Sequence, residues 1–166
     1  AVKSSLNHGV SVITGGPGTG KTTIINAIIN ILTQSGFKTA IAAPTGRAAK
    51  RITETSGYEA STIHRLLEYY YSESEDTMRF GKTAEDPLDY NAIIIDEASM
   101  IDLMLMNGLV SAIRPGTRLI LVGDADQLPS VGAGNVLRDI IDSEFVFSVK
   151  LTEIFRQAKE SLIVVN

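Results

Sequence analysis

Gly15-Gly16-Pro17-Gly18-Thr19-Gly20-Lys21-Thr22 stands between two apolar runs of different period. Before it, Val10-Ser11-Val12-Ile13-Thr14 has the length and composition of a buried strand. After it, Thr23-Ile24-Ile25-Asn26-Ala27-Ile28-Ile29-Asn30-Ile31-Leu32 carries apolar residues at helical spacing. The octet fits the phosphate-loop pattern G-x-x-x-x-G-K-[ST], with Gly15, Gly20, Lys21 and Thr22 at its fixed positions. Strand, glycine loop and helix are the geometry this chemistry needs. Glycines let successive N–H groups turn inward around phosphate oxygens, and the helix start adds unpaired donors and a partial positive charge. Lys21 is expected to reach the β- and γ-phosphates, and the Thr22 hydroxyl to hold Mg²⁺. The nucleotide-binding set is Gly16, Pro17, Gly18, Thr19, Gly20, Lys21, Thr22 and Thr23.

The remaining composition narrows the class. A chain of 166 residues with 44% hydrophobic residues is enough for one sizeable core and one domain. No cysteine is present, which excludes disulfides, thiolate metal sites and cysteine catalysis, and points to a reducing cytoplasm. No apolar run reaches the length of a membrane span, and the N-terminus does not read as a signal peptide. The net charge of −4 argues mildly against nucleic acid, but the charge is uneven. Residues 43–65 carry Arg47, Lys50, Arg51 and Arg65 against Glu54 and Glu59, a local basic stripe able to meet phosphates. Residues 68–89 are acidic.

Taken in order, residues 1–8 read as the end of a helix, 10–14 as the first strand and 21–34 as the helix after the loop, with Gly36 at its C-terminus. A second strand spans 38–43 and stops at Pro44. A helix opens at Thr45 or Gly46, and a short one spans 61–67 with Ser61 or Thr62 as cap. The aromatic run at 69–71, the polar turn at 72–76 and the run at 77–80 predict a hairpin insertion over 68–82. Further strands are expected at 92–96, 118–122 and 145–149, and helices at 102–113 and 134–141. This alternation predicts an α/β fold, a parallel five-stranded core sheet covered by helices on both faces. Met100, Met104 and Met106 read as packing residues.

Three more segments carry chemistry. Ile93-Ile94-Ile95-Asp96-Glu97 is an apolar strand ending in two acids. Asp96 suits the Mg²⁺ shell, and Glu97 can deprotonate a water for attack on the γ-phosphate. Gln127, in Gly123-Asp124-Ala125-Asp126-Gln127-Leu128-Pro129, has the donor and acceptor to sense that phosphate. Arg156, after the last expected strand, can stabilise charge in the transition state.

These segments, with Ala43-Pro44-Thr45-Gly46-Arg47-Ala48-Ala49, Ser61-Thr62-Ile63-His64-Arg65-Leu66-Leu67 and Phe155-Arg156-Gln157, resemble the RecD-type branch of superfamily 1 DNA helicases over nearly the whole chain. The resemblance implies a RecA-like ATPase domain, the first of two, using ATP and Mg²⁺. It implies that the strand bearing the Gln127 motif lies between those bearing the phosphate loop and the Asp-Glu pair. It implies contacts to the single-stranded DNA backbone from Pro44, Thr45, Thr62 and His64, 5′-to-3′ movement, and a role in DNA recombination and repair; nearby Arg47 and Arg65 are ordinary phosphate ligands compatible with those contacts. The hairpin stands where such helicases insert a strand-splitting pin.

By the same resemblance, residues 1–166 are expected to be one motor-domain fragment lacking the second RecA-like domain. That domain, and subunits of an exonuclease complex, are the expected partners beside single-stranded DNA. The helicase domain of a conjugative relaxase shares these motifs and stays open. A nucleotide switch without motor function is the rival class. It is disfavoured as a GTPase because no Asn-Lys-x-Asp segment is present, and a small-molecule kinase because 68–89 is acidic.

Overall fold

The protein is described by a computed structural model covering residues 2–128 and 130–152. Its helices are α1 (Val2–Asn7), α2 (Lys21–Gln34), α3 (Gly46–Ser56), α4 (Ile63–Leu66), α5 (Leu103–Ser111) and α6 (Val136–Asp142). Its strands are β1 (Val10–Gly15), β2 (Thr39–Ala43), β3 (Ser61–Thr62), β4 (Tyr69–Ser72), β5 (Thr77–Phe80), β6 (Ala92–Ile95), β7 (Arg118–Gly123) and β8 (Phe147–Leu151), and a 3-10 turn spans Ala98–Met100.

The main sheet runs β3-β2-β6-β7-β1-β8 and is parallel throughout. It has six strands where the sequence predicts five. The extra one is β3, two residues long, created by pairing Ser61 and Thr62 with Ala42 and Ala43. The helix expected over 61–67 therefore starts at Ile63, with the Thr62 hydroxyl accepting from the Arg65 N–H at 3.1 Å. β7 lies between β1 and β6, as the resemblance implies.

Side chains alternate between two cores. Ile93 and Ile95 of β6 join Val12, Leu119 and Leu121 against α4, α5 and α6. Ile94 joins Ile13, Ile41, Ile120 and Val122 against α2 and α3. The apolar stripe Ile25, Ile28, Ile29 and Leu32 gives α2 one buried face, as its spacing requires. Thr45 caps α3 and Asp102 caps α5 through side-chain oxygens.

Boundaries shift where backbone geometry overrides pattern. β8 is displaced two residues from the expected 145–149, because Glu144 is left-handed and Phe145 is exposed in the turn before it. Gly134, also left-handed, sits ahead of α6 instead of inside it.

β4 and β5 form a separate antiparallel ribbon, with Tyr69 opposite Phe80 and Ser72 opposite Thr77. Its base is stitched by Gly81 N–H to Glu68 O at 3.1 Å and Lys82 N–H to Leu67 O at 3.0 Å. Phe80 lies so close to Gly108 of α5 that a Cβ there would meet its ring at 2.5 Å.

At the end of β7, a Cβ on Gly123 would stand 2.9 Å from Leu137 and 3.1 Å from the Ser99 backbone nitrogen. Backbone cannot give way as a side-chain tip can, so Gly123→Ala should lower stability by about 1–3 kcal/mol. Urea denaturation checks this; a loss below about 0.5 kcal/mol would show that the turn yields.

Candidate nucleotide site

The site forms where β1, β6 and β7 end. Gly15 closes β1 against Leu151 and Thr19, too tightly for a Cβ, which would meet the Thr19 hydroxyl at 2.7 Å. Gly18 and Gly20 both hold left-handed backbone, at φ of 80° and 84°. Gly20 precedes α2 with no side-chain cap, so the first-turn N–H groups remain available to an anion. Thr19 is buried and donates its hydroxyl to the Gly16 carbonyl at 2.8 Å, bracing the loop from within. The Lys21 ammonium donates to the Gly15 and Gly16 carbonyls at 2.5 and 3.0 Å.

Pro17, Gly18, Gly20, Lys21, Thr22, Asp96, Glu97 and Gln127 line one cleft of about 340 Å³. These eight predicted residues thus meet. Gly16 and Thr19 support the loop from behind, and Thr23 is exposed on α2 outside the lining. Arg156 falls outside the described residues.

Asp96 leaves β6 with its N–H donated to the Ala42 carbonyl at 3.0 Å, and its Oδ1 accepts from the Glu97 N–H at 2.9 Å. Glu97 is left-handed at φ 54°, a conformation costing about 1–3 kcal/mol for a residue with a Cβ. It turns the chain sharply out of the sheet at the residue expected to handle water. Gln127 is set by its own loop: its N–H donates to the Asp124 carbonyl at 3.2 Å, and its Oε1 lies 3.5 Å from the Ser99 hydroxyl. The Thr14 hydroxyl accepts from the Ala125 N–H at 3.1 Å, tying that loop to the phosphate-loop strand.

The donor set fits a nucleoside triphosphate with its magnesium ion. Among the described residues no group of three or more His, Asp or Glu ligands exists, so a cation here would rest on Thr22, Asp96 and phosphate oxygens. Magnesium takes that kind of shell, with few protein ligands and substrate oxygens.

Burial pushes the Asp96 carboxyl above the usual carboxylate range. The Glu97 N–H hydrogen bond opposes this, the Glu97 charge adds to it, and the charges of Lys21 and Arg51 oppose it. Arg51 is the lining residue that sequence reasoning missed, having placed it only in the basic stripe. The buried positions Ala49 and Ile52 fix the inward face of α3, and Arg51 borders that face. This is a signal the helical spacing does contain.

A second, larger groove of about 710 Å³ opens beside the first. It gathers Pro44, Thr45 and His64 with Met100, Leu128 and Val131, and Gln127 lines both clefts. Thr45 and Thr62 use their oxygens as helix caps, accepting from Ala48 and Arg65, which leaves each hydroxyl proton to donate elsewhere. Thr62 and Arg47 do not line this groove, though the Thr62 methyl lies beside Gly46 at the start of α3. His64 stacks edge-on with Tyr69 at 5.0 Å, joining the groove to the ribbon. Of the methionines assigned to packing only Met106 is buried; Met100 and Met104 are 44% and 73% exposed.

Residues 1–133 match the family described as AAA domain. The chain belongs to that family. It is 41% identical over 157 residues to the ATP-dependent RecD2 DNA helicase of Deinococcus radiodurans, covering 95% of this chain and 21% of that protein. It is 40% identical to the RecBCD enzyme subunit RecD of Mycobacterium tuberculosis, covering 97% of this chain and 31% of the subunit. RecD-type homology therefore extends over most of this AAA domain, as its motifs suggested. The chain spans less than a third of the length of these curated relatives. The Pif1 helicase of Candida albicans superposes with a TM-score of 0.67 at 27% identity, over 96% of this chain and 39% of that one. No helix among the described residues is long and apolar enough to cross a membrane.

The raised Asp96 pKa has a definite sign. The folded carboxyl holds its proton to higher pH than the unfolded one, so its charge costs stability at neutral pH. That cost fades as pH falls through the raised pKa towards the ordinary carboxylate value. Asp96→Asn should therefore raise the melting temperature at pH 7 in chelator, with the gain shrinking on acidification. A lower melting temperature at pH 7 would refute the assignment to burial.

Proposed function

We propose that this chain is the ATP-hydrolysing motor unit of an ATP-dependent DNA helicase that moves on single-stranded DNA, 5′ to 3′, in recombination and repair. The observation that carries the reading is the meeting of Lys21, Asp96, Glu97 and Gln127 with the phosphate loop in one cleft. The RecD and RecD2 relatives support the helicase assignment.

In this mechanism the α2 N-terminus and loop amides hold the triphosphate, and Lys21 leaves its two carbonyls for the β- and γ-phosphates. Thr22 and Asp96 would hold Mg²⁺, which would supply positive charge against the phosphate oxygens. Glu97 takes the proton of the attacking water, the β–γ bridging bond breaks, and Gln127 reports whether the γ-phosphate is present. Arg156 adds positive charge to the transition state. The neighbouring groove takes the DNA backbone through Pro44, Thr45 and His64, with Thr62 and Arg47 beside it. The motor needs a second RecA-like domain to close on the nucleotide, and the parent protein joins exonuclease subunits.

Two substitutions test the two clefts separately. Glu97→Gln should leave ATP affinity within about twofold while hydrolysis falls roughly 10²–10⁴-fold. Equal loss of both would remove Glu97 from water activation. Thr45→Asp keeps a capping oxygen but sets a negative charge at the groove. Its melting temperature should hold, while affinity for single-stranded DNA at low salt drops about tenfold. Unchanged affinity in a filter-binding titration would take Thr45 out of the interface.

A further inference from the structure

Arg51 is the charged residue that the proposed mechanism leaves without a task. It lines the nucleotide cleft from α3, alongside Lys21, Asp96, Glu97 and Gln127. Its place follows from sheet order. β2, which feeds α3, is the direct neighbour of β6, and the Ala42 carbonyl receives the Asp96 N–H. α3 is thereby set beside the acidic corner of the cleft, where the chain carries the residues for hydrolysis. α2 lies next to α3 and shares a core with it through Ile25, Ile28, Ala49 and Ile52. The guanidinium thus stands on a rigid element braced against both the phosphate-loop helix and the strand that ends in Asp96.

The local charge pattern adds to this. Lys50, one residue earlier, turns away to pair with Glu54 at 3.8 Å. Arg51 makes no ion pair or side-chain hydrogen bond among the described residues, and its charge is felt at Asp96. Asp96 and Glu97 stand in the same cleft, yet neither is paired with it. An exposed guanidinium that lines the cleft beside two acids without pairing keeps its planar donor fork for a ligand. Phosphoryl oxygens match that fork in charge and geometry, two at a time.

We infer that Arg51 is a further nucleotide-binding residue, contacting the terminal phosphate of a nucleoside triphosphate and so separating triphosphate from diphosphate. The inference rests on the ATPase reading of the cleft. Arg51 shares the cleft with Asp96 and Glu97, the corner at which the terminal phosphate would be attacked. The loop amides take the α- and β-phosphates, Lys21 spans the β- and γ-phosphates, and a diphosphate gains nothing from Arg51.

The test is equilibrium titration of fluorescent ADP and a non-hydrolysable ATP analogue, with Mg²⁺, against wild type, Arg51→Ala, Arg51→Lys and Lys50→Ala. Melting curves on each variant verify folding. Arg51→Ala should weaken the ATP analogue at least tenfold and leave ADP within twofold. Arg51→Lys, which keeps the charge but not the fork, should recover part of the loss, and Lys50→Ala should change neither nucleotide. Equal weakening of both nucleotides by Arg51→Ala, or no weakening, overturns the inference. So does a matching effect from Lys50→Ala, which would mark a general field of positive charge. Should Arg51→Ala melt early, the ratio of the two affinities in Arg51→Lys decides the question alone. A wild-type protein that binds neither nucleotide would instead remove the ATPase reading itself.

Discussion

Ile93, Ile94 and Ile95 are sealed from solvent on both faces of the sheet, and this constraint orders the rest of the molecule. A strand buried on both sides cannot carry charge along its length without a steep desolvation cost. The first position where acid can appear is the residue that leaves the sheet, which is Asp96. The same holds for β1, whose buried Val12 and Ile13 deliver the chain to the phosphate loop, and for β7, whose buried run ends at Gly123. Because all three strands are parallel, their exits lie on one edge. The proposed site gathers there because it is the nearest place where polar groups can reach water and ligand.

The edge carries costs that its chemistry explains. Asp96 is half-buried, and Glu97 occupies backbone space that favours glycine. Neither feature helps the fold. Both follow from turning the chain abruptly at the end of β6, so that a carboxylate faces the loop while its neighbour enters the cleft. The surrounding hydrogen bonds, from Asp96 to Ala42 on one side and Ala125 to Thr14 on the other, hold that corner in register with the phosphate loop.

Much of this was legible in the sequence because the signals are local. The period of 23–32 gives α2, and Thr45, Thr62 and Asp102 announce their helices by chemistry that acts within three residues. Ser61 and Thr62 become a strand only because Ala42 and Ala43 lie alongside, and two residues have no period to read. The register of β8 depends on a left-handed Glu144 that nothing in the residue type demands. The meeting of Lys21, Asp96, Glu97 and Gln127 could be expected from motif order; helical spacing puts Arg51 beside the inward face of α3, but it does not say which cleft that face meets. That depends on β2 being the neighbour of β6, a fact of topology. The exposure of Met100 and Met104 escaped for a similar reason, since composition cannot tell which side of a short helix meets the sheet.

The ribbon of β4 and β5 has a mechanical meaning. It is mounted at three separate points: the paired backbone bonds at 67–68 and 81–82, the ring of Phe80 seated on Gly108, and the edge-on contact of Tyr69 with His64. An arm hinged at one point swings freely and passes no torque to its base. An arm fixed at three turns with its mount, so a sideways push on the tip at 73–76 is delivered into α5 and α4. Those are the helices that border the groove, and the ribbon is therefore built as a lever rather than a tether.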